Sequence, residues 1–359
     1  MDNINMRVEK VREYIKEKGL DGVIVSSWQN VWYLSGFTGY GDAALLVTVE
    51  SAFIITDSRY YVQAAEQSPD FELVKGNCAS SKLMKDLMEK NSVKRVGYEN
   101  LAVLYSDYCG YYKALDAVLC EIGDLFDRLR LIKSAEEISA VESSCDLASD
   151  ALIRILPEIK PGKTEIEIAA LLEYEMRVAG AEKPSFDTII ASGIRGSMPH
   201  GTAGKKIIEP GDGVTIDFGA FYGGFCSDMT RTFFVGEPSG EMRRIYNVVM
   251  EAQQKAIDEF RYGMTGKELD KIARDCITFA GYGEYFGHSL GHGVGINIHE
   301  SPAVSPGSDT VLEPGMIFSI EPGVYVPNIG GVRIEDLVTI ENGKLRVLTK
   351  RPGKQLTVL

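Results

Sequence analysis

The sequence predicts an α+β protein of two domains, an α/β domain over residues 1–129 followed by a duplicated domain over residues 130–359. Three observations carry this expectation. Short helical and strand patterns alternate through the first ~125 residues, as α/β layering requires. The pattern changes at Leu129-Arg-Leu-Ile-Lys-Ser134, where longer helical periodicity begins. Beyond that point one segment occurs twice, as Glu209-Pro-Gly-Asp-Gly-Val-Thr-Ile-Asp217-Phe-Gly219 and Glu313-Pro-Gly-Met-Ile-Phe-Ser-Ile-Glu321-Pro-Gly323.

In the first domain, residues 6–18 place Met6, Val8, Val11, Tyr14 and Ile15 at helical spacing and close on Gly19. Gly22-Val-Ile-Val-Ser26, Ala43-Ala-Leu-Leu-Val-Thr-Val49 and Ala52-Phe-Ile-Ile-Thr56 are short, apolar and β-branched, so they read as strands. Helices are expected over 59–67, 81–89 and 103–115, with a strand at Lys94-Arg-Val-Gly-Tyr98. This half holds no dense cluster of chemically useful residues and reads as a supporting domain. In the second domain Ser134 is a helix N-cap with Glu137 three positions on, a capping-box spacing. The helix it starts should run to about residue 159, where Pro161-Gly162 stops it. Two further helices are expected over 164–179 and 240–261, with Gly- and Pro-rich strand segments between and after them.

Composition excludes several classes. Asp plus Glu number 51 against 38 Lys plus Arg, a formal charge of −13 that repels phosphate backbones, so no nucleic-acid partner is expected. No run approaches the ~20 apolar residues that span a bilayer. The start Met-Asp-Asn-Ile-Asn lacks the basic-then-apolar layout of a secretory signal, which makes the cytoplasm the expected location. Six cysteines at 78, 109, 120, 145, 226 and 276 form no C-x-x-C pair and have no metal-ligand spacing with the histidines. They read as reduced, mostly buried small hydrophobes.

The repeat carries the chemistry. Each copy sets Pro-Gly as a turn, an apolar run as a strand, and an acid at the strand's end. A second acid follows each: Asp228 eleven residues after Asp217, Glu335 fourteen after Glu321. In the first copy Phe221-Tyr-Gly-Gly224 has a hairpin signature. A Tyr222-Gly223 turn sets Asp217 directly opposite Asp228, whereas a Gly223-Gly224 turn makes them diagonal neighbours. Either register leaves both acids on one face, about 5–8 Å apart. Like charges that close on a core face call for a cation. Of the chain's four histidines, three lie in Phe286-Gly-His-Ser-Leu-Gly-His-Gly-Val-Gly-Ile-Asn-Ile-His-Glu300. Glycines at 287, 291, 293 and 295 argue against a helix there and allow close backbone approach. One imidazole with four carboxylates is an oxygen-rich set that suits Mn, Co or Fe better than a thiolate-type zinc site. Two such ions ~3.5–4 Å apart can share a hydroxide and clamp a tetrahedral transition state, which is metal-assisted hydrolysis.

These residues resemble the pita-bread metallopeptidases, a family that includes Xaa-Pro aminopeptidase, prolidase and methionine aminopeptidase. The resemblance covers essentially the whole chain, and its five metal-ligand motifs are intact. It implies a pseudo-two-fold pita-bread catalytic domain behind a creatinase-type N-terminal domain, to which Thr56-Asp-Ser-Arg-Tyr60 is similar. It implies two divalent ions, Mn first with Co, Zn or Fe as alternatives, bound by Asp217, Asp228, His292, Glu321 and Glu335. Asp228 and Glu335 would bridge, and Glu321 would also be the general base. His200 in Met-Pro-His-Gly, His288 and His299 resemble substrate-positioning histidines that polarise the scissile carbonyl. Arg333, two residues before Glu335, resembles an arginine that orients the bridging carboxylate and the substrate's end.

The reaction implied is attack of a metal-bridging hydroxide on the carbonyl before proline, with Glu321 passing the proton to the prolyl nitrogen. Such a bond has no N–H, and proline fixes its own φ. Prolidases of this family often carry an arginine in a His-Glu-x-Pro-Arg segment, and this chain reads His299-Glu-Ser-Pro-Ala303. The expected activity is therefore an Xaa-Pro aminopeptidase, with prolidase as the alternative and a non-catalytic peptide-binding module as the more distant one. A creatinase-like reaction without metal is disfavoured by the intact ligand set. The resemblance also implies a homodimer. Phe186, Tyr222 and Tyr325 are candidates for a proline pocket, each reading first as core.

Overall fold

The computed structural model describes residues 3–359, in two compact units, one ending at Leu129 and the other beginning at Arg130. Among the described residues no helix is long and apolar enough to cross a membrane, and all six cysteines are free.

The first unit is a six-stranded mixed sheet in the order Glu72–Lys75, Ala52–Thr56, Ala43–Thr48, Gly22–Val25, Arg95–Tyr98, Val118–Glu121. The expected strands lie where hydrophobic runs placed them. The three central ones are buried along their whole length, which explains their near-continuous apolar character. The helix Trp28–Ser35 and the strands Glu72–Lys75 and Val118–Glu121 were not expected. Both of those strands have exposed or half-buried residues throughout, so they lack the apolar run that marks a strand.

The second unit is built twice. Its first half pairs helices Ala135–Ile155 and Glu165–Val178 with the antiparallel strands Ile189–Ser192, Gly213–Phe218 and Met229–Phe234. Its second half pairs helices Gly240–Glu259 and Gly266–Phe279 with a five-stranded sheet that includes Gly291–Gly293, Ile317–Ile320 and Asp336–Glu341. Capping boxes open three of the four helices, at Ser134 with Glu137, Thr164 with Glu167, and Thr265 with Glu268. Each box satisfies helix N–H groups that have no partner within the helix. Antiparallel bridges Thr164↔Ile207 and Thr265↔Val311 hold the same position in the two halves. Each half closes its own core, one around Leu152, Ile168, Leu172, Ile216 and Phe218, the other around Ile245, Val249, Leu269, Phe318 and Val338.

The helix Gly266–Phe279 is a correction to the sequence reading, which placed only strand segments after residue 261. Its signal was present as Thr265-Gly-Lys-Glu268 followed by Leu269, Ile272, Ala273 and Cys276 at helical spacing.

Candidate metal centre

In the first half Asp217 lies near the end of the strand Gly213–Phe218, between the fully buried Ile216 and Phe218. Burying those two side chains contributes about 1.5–3 kcal/mol each, which fixes the strand's facing. Asp217 pairs with Thr230, and Tyr222 with Phe225 across Gly223-Gly224. Both turn glycines have positive φ, 59° and 83°, as a two-residue hairpin turn requires. The Gly223-Gly224 register is therefore the one adopted, and Asp228 is diagonal to Asp217.

The second half differs. Ile320 pairs with Asp336 and Gly323 with Arg333, so the same register sets Glu321 opposite Glu335. The wider spacing of this acid pair is thereby explained. One extra residue lies in the turn and two in the returning strand, which moves the second acid from diagonal to opposite. His292 sits on the short strand Gly291–Gly293, not on a helix, as the glycines foretold. A Cβ at Gly291 would lie 1.9 Å from the Ser319 carbonyl oxygen, so only glycine lets this strand pack against its neighbour.

The five sequence-selected ligands converge. His292 Nε2 is 3.3 Å from Glu321 Oε1 and 3.6 Å from Asp228 Oδ2. Ligand atoms of Asp228, His292 and Glu335 lie within 4.8 Å of one another. Arg333, 3% exposed, donates from Nη2 to Asp217 Oδ2 at 2.6 Å, from Nε to Thr230 Oγ1 at 3.1 Å, and from Nη1 to Tyr325 Oη at 2.8 Å and the Pro199 carbonyl at 3.2 Å.

The accessory histidines gather at the same place. His288 Nδ1 is 2.8 Å from the Ser289 carbonyl, so it carries the proton there, and Nε2 accepts from Tyr325 Oη at 3.0 Å. The His299 ring centre lies 4.3 Å from that of His292. His200 is exposed beside Pro199, and its charge bears on His299. Of the three proline-pocket candidates, Tyr325 lies at the cluster. Tyr222 instead sits at the hairpin end near Gly180, and Phe186 is half-buried.

Electrostatics mark the cluster as incomplete without cations. Burial raises the Asp228 carboxyl well above the ordinary range, and the charges of Glu335, Asp217 and Glu321 raise it further. Burial and the charges of Glu321 and Asp217 do the same to Glu335. Burial also pushes Glu321 upward, but its hydrogen bond and charge interaction with His292 leave it below the usual carboxylate value. Burial, reinforced by His292 for His299, lowers both His288 and His299 and keeps those rings neutral near pH 7. Asp217 Oδ1 and Glu335 Oε1 are buried with no hydrogen-bond partner. Unpartnered buried carboxylate oxygens are costly, and divalent ions between the two halves would satisfy both. The residues present thus fit a metal pair held by oxygen and one imidazole nitrogen.

Two residues at the site escaped the sequence reading. Thr230 Oγ1 is 2.7 Å from Glu335 Oε2, and Ser319 Oγ is 2.9 Å from Glu321 Oε1. The signal for both was period-two spacing: Ser319 precedes Glu321 by two residues and Thr230 follows Asp228 by two, which puts each hydroxyl on its acid's face.

A duplicated domain with such a centre defines a class of metal-dependent hydrolases. The chain belongs to metallopeptidase family M24, whose sequence model matches residues 139–342, and residues 7–132 match the Creatinase/Prolidase N-terminal domain. It is a hydrolase with the pita-bread catalytic domain of that family. An Xaa-Pro dipeptidase of Pyrococcus horikoshii is 42% identical over 98% of both chains. The structure of an Xaa-Pro dipeptidase from Bacillus anthracis is similar at TM-score 0.95 and 43% identity, over 99% of this chain and 100% of that one. An X-Pro aminopeptidase structure from Thermotoga maritima is similar at TM-score 0.89 and 38% identity, over 95% and 98%.

Proposed function

We propose that this chain is an Xaa-Pro dipeptidase that uses two divalent ions. The observation that carries the reading is the convergence of four carboxylates and His292, with two orphaned carboxylate oxygens. Full-length similarity to proteins named Xaa-Pro dipeptidase favours the dipeptidase over the aminopeptidase expected from Ala303. The aminopeptidase remains a second reading on one observation. Ala303 pairs with His292 across neighbouring strands, so a small side chain leaves room beside the ligand for a longer peptide.

Asp217, Asp228, His292, Glu321 and Glu335 would hold the ions, with Mn the first choice for so many oxygens. Bound there, the ions supply Lewis acidity toward the scissile carbonyl and an activated water. Glu321, held in its charged form by His292, takes a proton and returns it to the departing prolyl nitrogen. His299, neutral through burial, supplies an N–H that orients the carbonyl, while the neutral His288 ring holds Tyr325 beside it and His200 stands at the exposed rim. Arg333 holds Asp217 and Tyr325 in place while the peptide binds. A homodimer in the cytoplasm belongs to the same reading.

The test is hydrolysis of Ala-Pro beside Ala-Pro-Ala, with Mn added and then with chelator. Chelator-sensitive cleavage of the dipeptide with little on the tripeptide supports the dipeptidase. Preference for the tripeptide moves the reading to the aminopeptidase. Bound metal with no cleavage of either leaves only a peptide-binding role.

A further inference from the structure

Thr230 lies on the strand Met229–Phe234, is fully buried, and touches two of the groups that build the centre. Its hydroxyl oxygen is 3.1 Å from Arg333 Nε and 2.7 Å from Glu335 Oε2. A guanidinium has donors only, so Arg333 must donate to the hydroxyl oxygen. The hydroxyl's single proton then goes to Glu335 Oε2, the carboxylate oxygen it meets at 2.7 Å, while Asp217 also feels the hydroxyl. The main chain repeats the link, since the Glu335 N–H donates to the Thr230 carbonyl at 3.1 Å. Arg333 meanwhile donates directly to Asp217 Oδ2 at 2.6 Å. One guanidinium therefore governs a carboxylate from each half, Asp217 by contact and Glu335 through Thr230. In both carboxylates one oxygen is held and the other, Asp217 Oδ1 or Glu335 Oε1, is the buried unpartnered atom.

We propose that Thr230 is a positioning residue that fixes the rotation of the Glu335 carboxylate toward the metal pair and couples it to Arg333. The inference rests on the metal-dependent reading above. The relay is one-sided: the duplicated half has Leu337 two residues past its acid, where the first half has Thr230, and leucine has no hydroxyl to give. Loss of the hydroxyl should therefore loosen the Glu335 carboxylate with no counterpart in the other half to compensate.

The test compares wild type, Thr230→Val and Thr230→Ser by calorimetric titration of Mn into the metal-free protein, with thermal melting of each metal-free form. Valine keeps the shape and loses the hydroxyl, whereas serine keeps the hydroxyl and loses the methyl. The expected result is that Thr230→Val weakens Mn binding by about 10–100-fold at an unchanged metal-free melting temperature, while Thr230→Ser binds nearly as wild type. Unchanged binding in Thr230→Val overturns the proposal. So does Thr230→Ser binding as weakly as Thr230→Val, or a loss of binding that tracks a lowered metal-free melting temperature, since each marks a packing role. Wild type that binds two Mn ions but cleaves no Xaa-Pro peptide defeats the dipeptidase reading and leaves this titration standing. Wild type that fails to bind two ions overturns both.

Discussion

Ser319 Oγ donates to Glu321 Oε1 at 2.9 Å, and the same oxygen accepts the His292 backbone N–H at 3.0 Å. One fully buried hydroxyl thus joins the proposed base to the chain segment that carries His292. Ser319→Ala leaves that N–H without a partner, which costs about 1–3 kcal/mol of stability. It also frees Glu321 to rotate, so kcat should fall roughly tenfold or more. Melting and steady-state kinetics check the two effects, and an unchanged kcat would show that Ser319 does not orient the base.

Glu321→Ala should abolish turnover, by at least about 10²–10⁴-fold, because it removes the proton carrier. The fold should persist, since the residue is only partly buried and its strand is held by Ile317, Phe318 and Ile320. Circular dichroism together with peptide hydrolysis decides it. A variant working near the wild-type rate removes Glu321 from the mechanism.

The raised carboxyls give the metal-free protein an unusual pH dependence. Asp228 and Glu335 keep protons in the folded state that the unfolded chain releases in the ordinary carboxylate range. Their contribution to stability is full below that range and is lost as pH rises through the raised values. With chelator present, the melting temperature should fall as pH rises above the ordinary carboxylate range. With Mn the same groups must be deprotonated to bind, so the gain in melting temperature on adding metal should grow with pH above that range. A chelated melting temperature that rises with pH would refute the assignment.

Lys133 and Glu300 form an ion pair at 2.8 Å whose side chains are 2% and 5% exposed. Glu300 follows His299 directly, and a Cβ at Gly295 would lie 2.1 Å from its carboxylate, so the loop carrying His299 wraps around this pair. Lys133→Met removes the closer of two cations that face the buried Glu300 carboxylate, Arg130 Nε being the other at 3.8 Å, and should cost up to about 3 kcal/mol. The double variant Lys133→Met with Glu300→Gln should recover part of that loss, since Arg130 then faces a neutral amide, yet still raise KM, because the His299 loop is no longer pinned. Chemical denaturation and peptide kinetics on the three proteins test this. Equal stability of the single and double variants would count against the pair.

The sequence displayed the chemistry more clearly than the architecture around it. The acids and His292 stood out because charge on a strand's core face is rare and the repeat displayed it twice. Glycines at 291 and 293 correctly excluded a helix, since backbone crowding there has a sequence signature. The strands Glu72–Lys75 and Val118–Glu121 did not stand out because half-exposed sheet margins leave no apolar run to read. The helix Gly266–Phe279 does have a signal in the sequence, the capping box of Thr265 and Glu268. Thr230 and Ser319 share a face with an acid by period-two spacing, but the partner of Thr230 lies in the other half, where only the fold brings Glu335 to it. The hairpin register needed the backbone itself, because two consecutive glycines permit either turn.

The two hydrophobic cores of the second unit lie on either side of a seam where like charges meet. Ions seated in that seam would act as a removable cross-link between two separately cored bodies. Metal content would then decide whether the unit melts as one cooperative body or in two stages. A calorimetric trace that is single with Mn and broadened or split with chelator would display the ancient duplication as a thermodynamic event.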